Sequence, residues 1–267
     1  IIVENDSCAD VLKQLKDQQI QQAKEHFHSL ELQGVVSKII TENISDANII
    51  LWNKITVSLS QSLFLFCRKA LLQVLPTESN LHRWKKSENP YCRLCNKIQS
   101  NLHVLSNCSS IPSLERYKTR HDNILKLLSD WIYSSKPSAS SLFGDLHDAS
   151  LDPIERVFLP SVRPDLILLD DSKIAVLELT ICHEKNILKS RSFKMNKYKD
   201  INLHLQPKYK KHSLQVFTIE ILVLGFISNL NDFCTFFKTL NMPISIKTEI
   251  IETIREILIF NKAMMYV

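Results

Sequence analysis

Residues 163–180 read RPDLILLDDSKIAVLELT. Two apolar runs, 165–170 and 173–182, flank the polar DDS and predict a β-hairpin. With the turn centred between Asp171 and Ser172, partner numbers sum to 343: Leu169 faces Ile174, Ile167 faces Val176, and Asp165 faces Glu178. Opposed side chains on one face lie about 5 Å apart at Cβ, and like charges there repel. The rest of that face is apolar, so the repulsion calls for a cation, and a divalent metal answers it most simply. On this reading, removing either acid leaves the metal-free fold as stable or more so. The competing reading is that Asp165 caps a strand while Glu178 meets a lysine, or that an odd loop slips the register.

Downstream, the basic helix expected over about 184–203 supplies a positive group. At 100° per residue Ile187, Tyr198, Ile201 and Leu205 share an apolar stripe, and Lys194 falls in its middle, aimed at the acids. Lys185, Lys189, Lys197 and Lys199 flank it or face solvent. From His183 to Ser213 there are nine Lys or Arg against two acids, and PKYKKH at 207–212 adds Lys208, Lys210 and Lys211 around a tyrosine. Such a field attracts polyanionic phosphate; each lysine taken alone also fits an ordinary solvated face.

Upstream, Cys92, Cys95, His103 and Cys108 fall as C-x2-C-x7-H-x4-C. Three thiols and an imidazole so spaced suit one closed tetrahedral Zn²⁺ with a structural role; the alternative is a coincidence of free thiols. Arg83, Lys85, Lys86, Arg93 and Lys97 surround the cluster with Trp84 and Tyr91 interleaved, a mixture suited to phosphate contact and base stacking or to a solvated rim.

The wider chain sets limits. Its 267 residues are 45% hydrophobic and carry a net charge of +5, enough for a sizeable core and a mild basic excess. Three glycines cannot assemble a phosphate loop or a dinucleotide fingerprint. Seven cysteines without a secretory leader suggest a reducing compartment. No stretch is apolar enough to span a membrane, so none is expected as a partner. Helices are expected from about Cys8 to Leu32, from Ala47 to Leu75, near Ser113 to Tyr133 and near Pro153, with a strand over Gln215 to Gly225 and two closing helices. The order predicts a helical linker over 1–80, a zinc knuckle with its following helix over 81–133, a linker over 134–150 and an α/β domain over 151–267. Opening on Ile1 within helix-like sequence, the chain reads as the C-terminal piece of a longer product.

A two-carboxylate hairpin with a nearby lysine resembles the PD-(D/E)xK nuclease superfamily. Following ALLQVLPTESNLHRW and the Cys-Cys-His-Cys knuckle, it resembles more closely the C-terminal region of non-LTR retrotransposons that carry a restriction-like endonuclease, over roughly residues 60–212. The resemblance matches Arg163-Pro164-Asp165 and Glu178 to the family's acids. Thr180 stands where Glu-x-Lys would place a lysine, and the family variant moves that lysine to the next helix beside a tyrosine, which KMNKY at 194–198 resembles. A strict K-x-x-Y would need lysine at Met195, so Lys194 and Lys197 remain the two candidates, with Tyr198 beside them. Glu155 is the candidate for an additional acid from a preceding helix. The resemblance implies a restriction-endonuclease-like α/β core, catalytic Mg²⁺ on Asp165 and Glu178, target DNA and element RNA as partners, an upstream reverse transcriptase domain, and a nuclear location. The implied activity is a nick that supplies a 3′ hydroxyl primer. The alternatives are an inactive or domesticated nucleic-acid-binding module and a branched-DNA resolvase.

Overall fold

The computed structural model describes residues 7–135, 140–146, 151–159, 161–239, 249–255 and 257–258. It is a mixed helix and sheet fold. Four strands, β1 (Ser141–Gly144), β2 (Leu166–Leu169), β3 (Lys173–Cys182) and β4 (Ser213–Leu222), form one sheet in the order β1-β2-β3-β4. The first three are antiparallel neighbours, and β4 runs parallel to β3. A parallel pair needs a crossover, here made by α7 (Ile187–Lys197) and three short 3-10 turns.

Strand alternation gives the sheet two buried faces. Leu166, Leu177 and Leu179 pack with Ile124, Leu125, Leu128 and Ile132 of α6 (Ile111–Ser135), with Phe233, Phe236 and Phe237 of α8 (Leu230–Thr239), and with Ile250 and Ile254 of the helical residues 249–255. The opposite face collects Ile167, Ile174 and Val176 with Phe158, Tyr198, Ile201 and Leu205. Glu178 follows Ile174 and Val176 at intervals of two, so it points to this second face.

The first 80 residues are woven into that body. They form α1 (Cys8–Ser29), α2 (Gln33–Asn43), α3 (Asp46–Ser58), α4 (Gln61–Leu71) and α5 (Glu78–Arg83). Val36, Ile40, Trp52, Phe66 and Leu75 pack against Cys182, Ile187, Leu222 and Phe226, beyond the C-terminal ends of β3 and β4. Trp52 Nε1 donates to Leu224 O at 2.6 Å and its ring stacks on Phe226. Only α1, capped by the Ser7 hydroxyl on Asp10 N–H and with no buried residue, stands out from the body as an arm.

Three helical expectations change. The continuous helix expected over 47–75 is two, broken at Leu59 and Ser60, both extended, where TVSLS supplies weak helix formers. It ends at Leu71, and Gln73 takes a left-handed φ of 59° that Asn80 stabilises by bonding Gln73 O and Leu75 O. α2 was not expected at all: Val35, Val36, Ile39 and Ile40 lower its helical signal, and Gly34 opens it because a Cβ there would sit 2.1 Å from Phe27 O. The basic helix is shorter than 184–203, since the chain turns at Tyr198 to send Ile201 and Leu205 inward. Within the stretch expected as a linker, Ser141–Gly144 is an edge strand with Leu142 and Phe143 buried. Among the described residues no helix is long and apolar enough to cross a membrane.

Candidate functional site: an acid pair and a Cys-His cluster beside one helix

The hairpin turn keeps an even loop. Asp170 N–H donates to Lys173 O at 2.9 Å, and the ladder runs Leu169↔Ile174, Leu168↔Ala175, Ile167↔Val176 and Leu166↔Leu177. Asp165, one residue before β2, therefore lies opposite Glu178. Backbone donors from each side serve the other acid: Asp165 N–H reaches Glu178 Oε2 at 3.3 Å, and Leu179 N–H reaches Asp165 Oδ2 at 2.6 Å.

Protein groups neutralise the like charges. Glu178, 1% exposed, bonds Lys194 Nζ through Oε1, has Lys197 Nζ 3.5 Å from the same oxygen, and accepts from Tyr198 OH at 2.5 Å on Oε2. Lys197 Nζ also donates to Tyr198 OH at 2.8 Å. Burial and the Glu178 charge push the Tyr198 phenol far up, so it remains a neutral donor. Asp165 meets His121 of α6, whose Nε2 lies 3.5 Å from Oδ2, while Nδ1 lies 3.1 Å from Asp122 Oδ1. Burial works against an imidazolium here, but bonds and charge from Asp165 and Asp122 outweigh it and raise His121 to about 9. The repulsion inferred from register is thus answered within the chain, which overturns the reasoning that losing one acid costs the metal-free fold nothing.

The structure brings Asp165, Glu178, Lys194, Lys197 and Tyr198 into one bonded group; both candidate lysines belong to it, with Lys194 in direct contact. Arg163 instead pairs with Asp145 at 2.5 Å. Glu155 lies in a short turn, Ile154–Arg156, and its side chain falls outside the described residues. Lys185 and Lys189 are exposed on or beside α7, and Lys208, Lys210 and Lys211 are exposed around Pro207–Tyr209, with Lys208 over the Tyr209 ring. Arg83, Lys85 and Lys86 are exposed beside the knuckle, Arg83 near the Trp84 ring.

The knuckle is a tight local loop. Tyr91 bridges Ile98, Cys92 N–H donates to Lys97 O at 2.7 Å, and Asn96 takes a left-handed φ of 56° that brings Cys92 and Cys95 to one side. A single π turn, His103–Asn107, returns His103. The four ligand atoms lie within 4.8 Å of one another, with Cys92 and Cys108 Sγ 4.0 Å apart, Cys95 and Cys108 Sγ 3.8 Å apart, and Cys95 Sγ 3.4 Å from His103 Nε2. Zinc–sulfur bonds near 2.3 Å imply sulfur–sulfur edges of about 3.8 Å in a tetrahedron, so the set is compatible with one zinc ion. Burial alone would raise the Cys108 thiol, but the Ser110 and Ser113 hydroxyls and the Ser110 backbone favour the thiolate and bring it to about 6. Among the described residues this is the one convergent set of three or more such ligands; the acid pair does not form a second.

One helix serves both places. Tyr117 of α6 donates toward His103 O and Val104 O, each at 3.2 Å, and accepts from Cys108 N–H at 3.1 Å. Buried Arg120 donates to Leu105 O at 3.2 Å. His121, next in sequence, reaches Asp165. Sequence reasoning missed Tyr117 and His121 because RYKTRHDN offers only single polar residues at helical spacing, and their partners lie on other segments. No protein-family model and no curated protein sequence matches the chain.

Proposed function

We propose that the chain is a metal-dependent DNA endonuclease with a restriction-like core, of the kind that nicks target DNA in non-LTR retrotransposons and leaves a 3′ hydroxyl primer for reverse transcription. The observation that carries this reading is the convergence of Asp165 and Glu178, from paired strands, with Lys194 from the next helix. Asp165 and Glu178 are the residues that would hold Mg²⁺. Oδ1 of Asp165 has no hydrogen-bond partner among the described residues, which suits a further ligand. Bound there, the ion supplies an activated water and stabilises charge on the phosphate.

The chain's own groups do the rest. Lys194 neutralises Glu178 as the chain stands; released from that bond, it orients the attacking water or screens the developing charge. Tyr198 holds Glu178 by a neutral hydroxyl, and His121 holds Asp165. The lysines of α7 and of 208–211, with Arg83, Lys85 and Lys86, contact the DNA backbone or element RNA. Zinc in the knuckle shapes that surface without an open position for chemistry. An upstream reverse transcriptase domain and a nuclear location belong to the same proposal.

The test is Mg²⁺-dependent nicking of linear and branched DNA by the unmutated chain and by the near-isosteric Asp165→Asn and Glu178→Gln variants. Cleavage should fall by about a hundredfold or more, while DNA binding without metal persists. Lys194→Ala should slow cleavage more than Lys197→Ala. Unchanged rates in both acid variants would overturn the assignment, and cutting confined to branched DNA would replace it with a resolvase.

A further inference from the structure

Helix α7 presents Lys194 inward to Glu178, and its outward side carries a second pattern. Lys189, Phe193 and Lys197 recur at intervals of four, the spacing that lines side chains along one ridge, and Lys185 lies in the 3-10 turn just before the helix. All four are exposed, Phe193 at 66%. At one end of the ridge Lys197 lies 3.5 Å from Glu178 Oε1, so the ridge leads to the acid pair. A single exposed apolar side chain is ordinary on a protein surface. An aromatic ring set between cations, one of them touching the acid pair, matches instead the surface that tracks a nucleic-acid strand, where lysines meet phosphates and rings meet base faces.

We propose that Phe193 is a stacking platform for an unpaired DNA base, with Lys189 and Lys197 holding the phosphates on either side, so that the preferred ligand is single-stranded or locally unpaired DNA. In a perfect duplex both faces of each base are covered by neighbours, and Phe193 has nothing to stack on. Neighbours at this spacing have Cβ atoms about 5–6 Å apart, so a base on Phe193 belongs to a nucleotide close to a phosphate at Lys197 and Glu178. The nuclease reading enters in choosing DNA over RNA and in making that phosphate the scissile one; the stacking itself requires neither metal nor cleavage.

The experiment uses the full chain without divalent metal. Single-stranded DNA oligonucleotides carrying 2-aminopurine at successive positions are titrated beside the matching duplex and the matching RNA. Quenching at one or two positions is expected for the single strand and not for the duplex. Phe193→Ala should weaken single-strand binding about tenfold and abolish that quenching, whereas Phe193→Trp should restore both; Lys189→Ala should lower the salt dependence by about one phosphate contact. The proposal is overturned if Phe193→Ala binds the single strand as the unmutated chain does, if it loses single strand and duplex equally, or if the RNA binds more tightly with the same quenching. Quenching that persists in a chain unable to cut DNA would count against the nuclease reading and leave the platform standing.

Discussion

The knuckle and the acid pair both meet α6, yet they are assembled on opposite plans. The knuckle draws four ligands from the 17 residues of 92–108. Its ligands are local in sequence and converge tightly enough to suit one metal ion. The acid group draws on α6, the approach to β2, β3 and α7, and its charges are offset by protein groups. A site built by proximity in sequence can be shaped by one loop, and a site built by tertiary packing depends on its neighbours.

That difference can be broken most sharply at the metal. Structural zinc supplies much of the folding free energy of small domains, so chelation or Cys95→Ser should disorder residues near 85–110 outright. Because Tyr117 and Arg120 anchor α6 to that loop, the loss should spread to the His121 contact. Hydrogen exchange should therefore rise in the first half of α6 as well as in the knuckle; protection unchanged beyond residue 111 would make the two sites independent.

Next in size is Glu178→Ala, which takes from Lys194 and Tyr198 the carboxylate that both bond. Removing one partner of a buried ion pair costs about 3 kcal/mol, and denaturant unfolding of the metal-free chain should register it, with Glu178→Gln less affected. A neutral or stabilising result would restore the simple repulsion argument. Tyr117→Phe removes a hydroxyl that serves two knuckle carbonyls and the Cys108 N–H, and should cost about 1–3 kcal/mol without altering the acid group's own bonds.

A last effect concerns pH. Since His121 is raised from 6.5 to about 9 in the folded chain, its pairing contributes stability in full below pH 6.5 and loses it as pH rises through about 9. The metal-free protein should weaken over that interval, and His121→Gln should flatten the slope. Thermal unfolding at fixed ionic strength across pH 6 to 10 measures it.

How much of this was legible follows from the same contrast. The Cys-His spacing, the hairpin register and the helical period are short-range patterns, and they placed the four knuckle ligands, the facing of Asp165 and Glu178, and Lys194 on the inner side of α7. What the sequence did not disclose travels through space. His121 reaches Asp165 across 44 positions, and nothing in its own surroundings marks it. Trp52 and Asn48 bond carbonyls of residues 224 and 227, so the helices expected to be a linker close one end of the sheet. β1 was hidden because four residues with one glycine and one serine make a weak strand until β2 pairs with them.

Arg255 draws a final consequence from that closure. Fully buried, it donates through Nε to Gly225 O at 3.0 Å and bonds Asn48 Oδ1 and O, joining α3, the chain after β4 and the last helical residues at one point. A guanidinium so enclosed makes the molecule intolerant of dissection. A fragment beginning near residue 134 or 151 would keep the cation and discard an acceptor, and one ending before residue 249 would keep Asn48 and discard its donor. Either cut takes away the partner of a polar group that is buried in the whole chain. The unit that can be produced and studied alone therefore includes both α3 and Arg255, wherever sequence patterns invite the scissors.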